Sequence, residues 1–195
     1  MTDIVNTINN YDQFITELMN AIKKQSLDEV KSIVDNYSNV QNVDINKQNG
    51  AGDTVFMKAA YFKNIEILKF LYEKFNKKIN IDLTNKNGDN AFMIAAYNPN
   101  VEIITFLYEK FKDKININLQ NVENYTIFMI AANNPNVEII TFLHTNYKNE
   151  IKTNINLQNK NGDTAFMIAA NNPNVEIITF LYGKLKNKIN INLYL

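Results

Sequence analysis

The chain contains no cysteine, no arginine and no tryptophan, and it has three prolines, five glycines and one histidine. Without cysteine, disulfide bonds and thiolate chemistry are excluded, and the redox compartment is left undetermined. Without arginine, the chain lacks the forked guanidinium group that usually recognises phosphates and guanine edges. The 20 basic and 20 acidic residues cancel, and no block of like charge stands out. We therefore expect no nucleic-acid partner.

Long apolar runs are also absent. No stretch approaches the roughly 18 residues that span a bilayer, and residues 1–6 have neither the basic region nor the apolar region of a signal peptide. We therefore expect no membrane partner and a soluble protein made in a cytoplasm, with delivery into a host cell left open. The abundance of Asn, Lys, Ile, Phe and Tyr indicates the codon bias of an AT-rich genome.

The most informative feature of the chain is an internal repeat. Met19, Met57, Met93, Met129 and Met167 lie 38, 36, 36 and 38 residues apart. Around the last four, a phenylalanine precedes the methionine and two alanines follow shortly after it. Self-similarity at this period predicts a solenoid, in which each unit buries its apolar face against the next. The apolar content of 46% is ample for a continuous core.

Each unit has the pattern of a turn followed by two helices. In the last unit an Asn-Lys-Asn-Gly turn at 159–162 precedes Thr164, a good N-cap for a short helix. Pro173 must end that helix, because the residue before a proline is pushed out of the α region. Asn174 then caps a second helix. The apolar residues of that helix recur at helical spacing: Val175, Ile178, Leu181 and Tyr182, widened by Ile177 and Phe180.

This unit resembles the ankyrin repeat. The residues of the last unit that match the family frame are Ile155-Asn156, Asn159, Gly162, Thr164-Ala165-Phe166-Met167, Ala169-Ala170, Glu176-Ile177-Ile178 and Phe180-Leu181. The resemblance implies one domain, an all-α ankyrin-repeat solenoid of stacked helix–turn–helix units with short β-hairpin-like turns. We predict a degenerate N-terminal capping repeat over residues 1–44. Four full repeats follow, called units one to four below: 45–80, 81–116, 117–154 and 155–195.

Three departures from the family frame lead to structural expectations. Methionine stands where the family has a histidine, so we expect apolar packing in place of the hydroxyl–imidazole hydrogen bonds. Pro99, Pro135 and Pro173 replace the glycine between the helices, so that loop cannot take a positive φ. The second helix lacks a terminal glycine, and we predict an additional turn that runs to Ile115 in unit two.

No group of residues points to catalysis or to a cofactor. His144 stands where the other units have Tyr72, Tyr108 and Tyr182, so we interpret it as a packing aromatic. A catalytic or metal-binding role for His144 would need partners, and the chain has no cysteine and no second histidine. The Asn-Lys-Asn-Gly-Asp turns lack the first and last carboxylates of a calcium loop. We therefore predict no enzymatic activity, no metal and no cofactor.

Ankyrin repeats typically bind partners with their hairpin tips and the exposed side of the first helices, which together form the concave face. Carried over by position, the predicted partner-binding residues are Tyr61, Phe62, Lys86, Asn87, Asp89, Tyr97, Asn98, Val122, Glu123, Tyr125, Asn133, Asn134, Lys160, Asn161, Asp163, Asn171 and Asn172. Gly50, Ala51 and Asp53 occupy the matching tip of unit one.

Unit three differs from its neighbours at the tip. It has Val122 in place of a lysine and Glu123-Asn124-Tyr125 in place of Asn-Gly-Asp. Tyrosine is favoured at interfaces because it buries a large area and has few rotatable bonds to freeze. We therefore predict an aromatic strip on the concave face: Tyr61, Phe62, Tyr97, Val122 and Tyr125. The alternative is a drifted repeat in which Tyr125 folds over its own unit.

The resemblance implies a protein–protein interaction module that occludes or scaffolds a partner protein through the concave face. By analogy, a short array from an AT-rich genome is a host-directed or inhibitory factor. A competing hypothesis is a self-assembling structural protein. Unit four keeps the apolar pattern of an interior unit and residues 189–195 begin a further hairpin, whereas arrays normally end in a polar outer face. Either the chain is a fragment of a longer array, or another copy or a partner covers this end. This hypothesis predicts a homodimer through unit four.

Overall fold

The computed structural model describes residues 2–37, 43–148 and 155–190, with side chains from residue 12 onward. The helices are α1 (Thr2–Lys23), α2 (Leu27–Asn36), α3 (Val55–Tyr61), α4 (Ile65–Phe75), α5 (Ala91–Tyr97), α6 (Val101–Phe111), α7 (Ile127–Asn133), α8 (Val137–Asn146), α9 (Ala165–Ala170) and α10 (Val175–Leu185). Within the described residues there is no strand, and the tip of unit three contains one isolated β-bridge, Gln120 to Thr126. None of the described helices is both long enough and apolar enough to cross a membrane.

The helices stack in two layers. In the first layer α3 packs between α1 and α5, α5 packs between α3 and α7, and α7 packs against α9. In the second layer α2 packs on α4, and α8 packs on both α6 and α10. Paired alanines allow close approach in the first layer, and those of α3, α5 and α7 are fully buried. The predicted all-α solenoid is confirmed.

Side chains cap the start of each helix after α1. The caps of the first-layer helices are Thr54, Asn90, Thr126 and Thr164, each of which accepts a hydrogen bond from the amide three residues later. The caps of α4, α6, α8 and α10 are Asn64, Asn100, Asn136 and Asn174. A cap of this kind is worth about 1 kcal/mol because it satisfies an amide that has no partner within the helix. The two caps predicted in unit four, Thr164 and Asn174, are confirmed.

The helix ends also follow the sequence. α5, α7 and α9 each end before the proline of their unit, at Tyr97, Asn133 and Ala170. In unit two, α6 ends at Phe111 and the chain continues as a 3₁₀ turn, Lys112–Lys114. This turn supplies the additional turn that the missing terminal glycine predicted.

The repeated methionines pack in the core, as Met57, Met93 and Met129 show with 1–2% exposure. In units one and four they also accept a hydrogen bond. The Sδ atoms of Met57 and Met167 each lie 3.4 Å from the backbone nitrogen of the N-cap threonine. The expectation that apolar packing alone replaces the family histidine is therefore wrong in these units, because the thioether is a weak acceptor for that amide.

The last helix buries a narrower stripe than the sequence predicted. Ile177, Leu181 and Leu185 are buried in α10, whereas Val175 and Tyr182 are 69% and 59% exposed. In the preceding units the residue at the Tyr182 position packs edge to face on a phenylalanine of the following unit. Among the described residues, Tyr182 has no such ring contact. The hairpin predicted at 189–195 lies mostly in residues 191–195, which are outside the described residues.

Candidate partner-binding surface

Each tip on the concave face is a turn held by one asparagine. In unit two, Asn85 Oδ1 accepts hydrogen bonds from the amides of Asn87 and Asp89, both at 3.0 Å. Equivalent pairs of bonds form around Asn49, Asn121 and Asn159. Asparagine favours such turns because its short side chain bonds to the backbone two residues on. The turn places the residue four positions later, for example Asp89, beside the start of the first helix.

Neighbouring tips are joined to one another. Backbone amides donate to carbonyl oxygens of the preceding tip at three junctions: Lys86 to Ala51, Val122 to Asn87 and Lys160 to Glu123. Side chains add bonds at all three junctions. Asn85 Nδ2 donates to Asp53 Oδ1 and Asn121 Nδ2 donates to Asp89 Oδ1, both at 3.0 Å, and Lys160 Nζ donates to Glu123 Oε1 at 3.4 Å. The tips of units one to three therefore form a continuous, hydrogen-bonded ladder.

The close stacking of the tips requires glycine at the turn of unit two. Gly88 has φ +78°, and a Cβ atom there would lie 2.8 Å from the backbone nitrogen of Val122. In unit three Asn124 takes the same position with φ 60°, a left-handed conformation that asparagine tolerates better than most residues. The unusual sequence of unit three therefore keeps the same turn.

The tyrosine of unit three interrupts the side-chain ladder. Tyr125 stands where the other units have Asp53, Asp89 and Asp163. Because unit three has no aspartate at this position, Asn159 Nδ2 donates instead to Asp163 Oδ2 of its own unit, at 3.3 Å. Tyr125 itself is half-buried. The junction between units three and four thus keeps its backbone bond and lacks the asparagine–aspartate bond. An exposed ion pair between Lys160 Nζ and Glu123 Oε1, 3.4 Å apart, stands in its place.

Most of the predicted partner-binding residues are accessible. The large apolar side chains among them are Tyr61, Tyr97 and Val122, exposed by 60%, 46% and 47%. The other exposed ones are Lys86, Asn87, Glu123, Asn133, Lys160, Asn161 and Asn171, and Phe62, Tyr125 and Asp163 are half-buried. The predicted aromatic strip therefore has three well-exposed members on consecutive units.

Four of the predicted residues are buried: Asp89, at the base of the surface, and the three asparagines that precede the prolines. Asn98, Asn134 and Asn172 are buried, so the expectation that their side chains are exposed is wrong. Their Nδ2 atoms donate to first-helix carbonyls of the preceding unit, at Ala60, Ala96 and Ala132. Their Oδ1 atoms accept from the amides two residues later. These asparagines tie the proline loop of one unit to the helix of the previous unit.

The sequence carries a signal for these buried residues. Asn-Pro-Asn recurs unchanged in units two to four, whereas the residue before it varies between Tyr97, Asn133 and Asn171. The first asparagine of each Asn-Pro-Asn triplet is buried, and the variable residue before it is exposed. Asp89 is also buried, with 6% exposure, so its carboxylate lies at the base of the surface.

Units one and two enclose a groove of about 540 Å³ on the concave face. Its lining residues are Ala51, Asp53, Met57, Lys58, Tyr61, Asn85, Lys86, Asn87, Asp89, Ile94 and Tyr97. The family resemblance did not predict Lys58 as a surface residue, because Lys58 lies in the middle of α3. Its Nζ atom is 2.8 Å from Asp53 Oδ2 and 6.0 Å from the centroid of the Tyr61 ring.

The groove changes the ionisation of two of its residues. Burial raises the pKa of Asp89, and the charge of Asp53 raises it further, while the hydrogen bond from Asn121 opposes both effects. Burial also raises the pKa of Tyr97 to about 12, with further contributions from Asp89 and Tyr125 and an opposing hydrogen bond with Asn121. At neutral pH Tyr97 therefore presents a protonated phenol beside a carboxylate that is poorly solvated.

The one histidine packs as an aromatic ring, as predicted. His144 meets Phe180 of the next unit edge to face, with ring centroids 5.4 Å apart. Tyr72 and Tyr108 meet Phe106 and Phe142 in the same way, at 5.7 and 5.5 Å. Among the described residues, no three His, Asp, Glu or Cys side chains are grouped so that they could hold a metal ion.

The comparisons with known proteins agree with this architecture. A family model described as ankyrin repeats (3 copies) matches residues 18–121 and 111–194. The comparison with curated proteins gives no match. Ankyrin repeats are generally protein–protein interaction modules, and the family is typically a non-enzymatic binding scaffold. The two matched ranges together span most of the chain, and it belongs to the ankyrin-repeat family.

Proposed function

We propose that the concave face of units one to three binds a partner protein, and that the chain is a stoichiometric binder or scaffold rather than an enzyme. The proposal includes the repeat boundaries given above. The observation that carries it is the row of exposed Tyr61, Tyr97 and Val122 on three consecutive units. Apolar side chains grouped within a polar surface mark interaction sites, and tyrosine is enriched at binding hot spots.

The rigidity of the tips supports this proposal. Each tip is fixed within its own unit by an asparagine, and the tips of units one to three are fixed to one another through Asn85 and Asn121. A surface that is already ordered loses little conformational entropy when a partner binds. The polar residues around the tyrosines can then form hydrogen bonds at the edge of the interface.

Affinity capture tests this function. Three baits are presented to a lysate of the source cell or its host: the intact chain, a Tyr97→Ala, Tyr125→Ala double variant, and a Tyr182→Ala control. The control removes an exposed tyrosine from the second layer of unit four. We expect a protein that is retained by the intact chain and the control and lost by the double variant. Equal retention by all three baits would place binding elsewhere.

The double variant must stay folded for this test. Tyr97 is half exposed, so we expect its truncation to cost at most about 1–2 kcal/mol of unfolding free energy, which thermal denaturation measures. We propose further that this binding serves a host-directed or inhibitory role. A partner drawn from a host lysate and inactivated at equal molar ratio would support that role.

A second candidate function is self-association through unit four. Among the large apolar side chains of the described residues, Val175 is the most exposed, at 69%, and Tyr182 is the third, at 59%. In the preceding units the residue at the Tyr182 position meets a phenylalanine of the next unit, so Tyr182 presents a surface that elsewhere is covered. Light scattering tests this function: we expect a dimer mass at high concentration that a Tyr182→Ser variant abolishes. A monomer mass throughout would exclude self-association.

A further inference from the structure

The groove between units one and two contains an internal ion pair on one side. In unit one, Lys58 places its ammonium group 2.8 Å from Asp53 Oδ2 and above the ring of Tyr61. A cation in this position is attracted by the carboxylate and by the negative face of the ring. Asp53, Lys58 and Tyr61 therefore form a complete set of acid, cation and aromatic ring within one unit.

Unit two has the same set without its cation. Thirty-six residues later, Asp89 and Tyr97 repeat the acid and the ring, but Ile94 stands where unit one has Lys58. Among the ion pairs of the described residues none involves Asp89, and its Oδ1 atom accepts the hydrogen bond from Asn121 Nδ2. Asp89 is nearly buried at the base of the groove, where a carboxylate without a cation is unfavourable.

Units three and four do not carry this combination. At the three equivalent positions unit three has Tyr125, Ile130 and Asn133, and unit four has Asp163, Ile168 and Asn171. Unit two alone among the four pairs the aspartate with the exposed tyrosine while lacking the lysine. Tyr61, Tyr97 and Asp89 all line the groove. The Lys58 ammonium already lies over the Tyr61 ring, so Tyr97 supplies the aromatic ring of unit two without a cation of its own.

We infer that the partner protein inserts a lysine or arginine side chain into the groove beside Tyr97 and places its cation against Asp89. This inference rests on the proposed function, since it specifies the chemistry of a partner at the concave face. Asn121 already donates to Oδ1, so an incoming cation can approach Oδ2 with a single N–H donor. The site therefore does not require the forked geometry of arginine.

Two features of the groove favour this occupant over an acidic or purely apolar one. Burial and the charge of Asp53 raise the pKa of Asp89, and an incoming cation offsets both. The groove has a volume of about 540 Å³ and opens to solvent, so a long flexible side chain reaches its base while the partner backbone stays outside. Lys and Arg suit such a site because their stems pack against rings and their charged ends reach beyond.

A peptide selection with matched variants tests this inference. A phage library of random peptides is selected on the full-length chain, and the selected peptides are synthesised and titrated calorimetrically. The same peptides are titrated against Asp89→Asn and against Asp163→Asn, the control at the equivalent position of unit four. Asp89→Asn keeps an oxygen acceptor for Asn121 Nδ2, so it preserves the tip ladder.

We expect the peptides to share one basic residue. Replacing it by alanine should weaken binding at least tenfold on the natural chain and less than threefold on Asp89→Asn, while Asp163→Asn binds like the natural chain. Peptides that lose binding to the Tyr97→Ala, Tyr125→Ala variant but carry no basic residue coupled to Asp89 would overturn this inference and leave the proposed function intact. Recovery of no peptide, or equal binding to that double variant, would contradict the proposed function as well.

A second variant supplies the missing cation from within the chain. Ile94→Lys gives unit two the same acid, cation and ring as unit one, where the equivalent lysine is tolerated. The new ammonium should occupy Asp89 and weaken the basic peptides at least tenfold, with circular dichroism showing an unchanged helix content. Undiminished binding of those peptides by folded Ile94→Lys would contradict the inference.

Discussion

Replacing Asn134 by alanine removes a buried side chain that joins units two and three. Its Oδ1 accepts a hydrogen bond from the Asn136 amide at 2.8 Å, and its Nδ2 donates to the Ala96 carbonyl at 2.9 Å. The neighbouring Asn133 has the same chemistry but is exposed at the end of α7. The pair Asn134→Ala and Asn133→Ala therefore compares the same truncation at a buried, hydrogen-bonded site and at an exposed neighbouring site.

The structure sets the size of the difference. Each lost hydrogen bond costs about 1 kcal/mol, and more when a buried partner is left unpaired, as at the buried Ala96. For the two bonds of Asn134 we expect a loss of about 2–4 kcal/mol in unfolding free energy. For a chain of this length this corresponds to a drop of roughly 4–16 °C in Tm. Asn133→Ala should stay within about 0.5 kcal/mol of the natural chain.

Urea denaturation followed by far-ultraviolet circular dichroism measures both variants. Because repeat arrays can unfold unit by unit, the whole transition is compared rather than the midpoint alone. Loss of a bond across a junction should also broaden the Asn134→Ala transition. Equal stability of Asn134→Ala and Asn133→Ala would refute the assignment of the buried asparagines as links between units.

Four further variants test ionisation and the role of glycine. Tyr97 has a pKa of about 12 in the fold against 10.0 ordinarily, so the fold favours the neutral phenol and stability should fall as pH rises from 10 to 12; Tyr97→Phe should remove that fall in Tm. The pKa of Asp89 is raised above its ordinary 3.8, so the fold favours the protonated carboxyl and stability should fall as pH rises from 3.8 through the raised pKa. At pH 7 the carboxylate is charged, and Asp89→Asn should therefore match or exceed the natural Tm. Gly88→Ala should cost about 2–3 kcal/mol, because its φ is positive and its new Cβ would meet the Val122 amide. Gly183→Ala, in α10 with no atom within 4 Å, should instead stabilise the chain by about 0.5–1 kcal/mol. Chemical denaturation measures the unfolding free energy of both glycine variants. A change in the same direction for both would contradict the different roles given to Gly88 and Gly183.

The sequence predicted the features that depend on local chemistry. The caps at Thr164 and Asn174 and the helix end before Pro173 follow from hydrogen bonding and backbone sterics within a few residues. The solenoid follows from the period of the methionines. The packing role of His144 also follows, since the other units have tyrosine at that position. The caps and the helix end need no distant contact, and the solenoid and the role of His144 were predictable because the repeat shows the same position several times.

Features that depend on contacts between units could not be predicted in this way. Asn133 and Asn134 are chemically identical, and only the stacking of unit three on unit two brings Asn134 to the Ala96 carbonyl. Lys58 lies inside α3, and its ion pair with Asp53 becomes visible only when the tip turn places that carboxylate over the helix. The groove likewise exists between two units and not within either one.

Photo-crosslinking tests the central claim, that the concave face binds the partner protein, most directly. Tyr97 is replaced by p-benzoylphenylalanine in one sample and Tyr182 in another, and each chain is irradiated in the same source-cell or host lysate. Both side chains are exposed, and they lie on different layers of the solenoid. The account predicts a crosslinked partner from position 97 and none from position 182. A partner crosslinked from position 182 and absent at position 97 would contradict it.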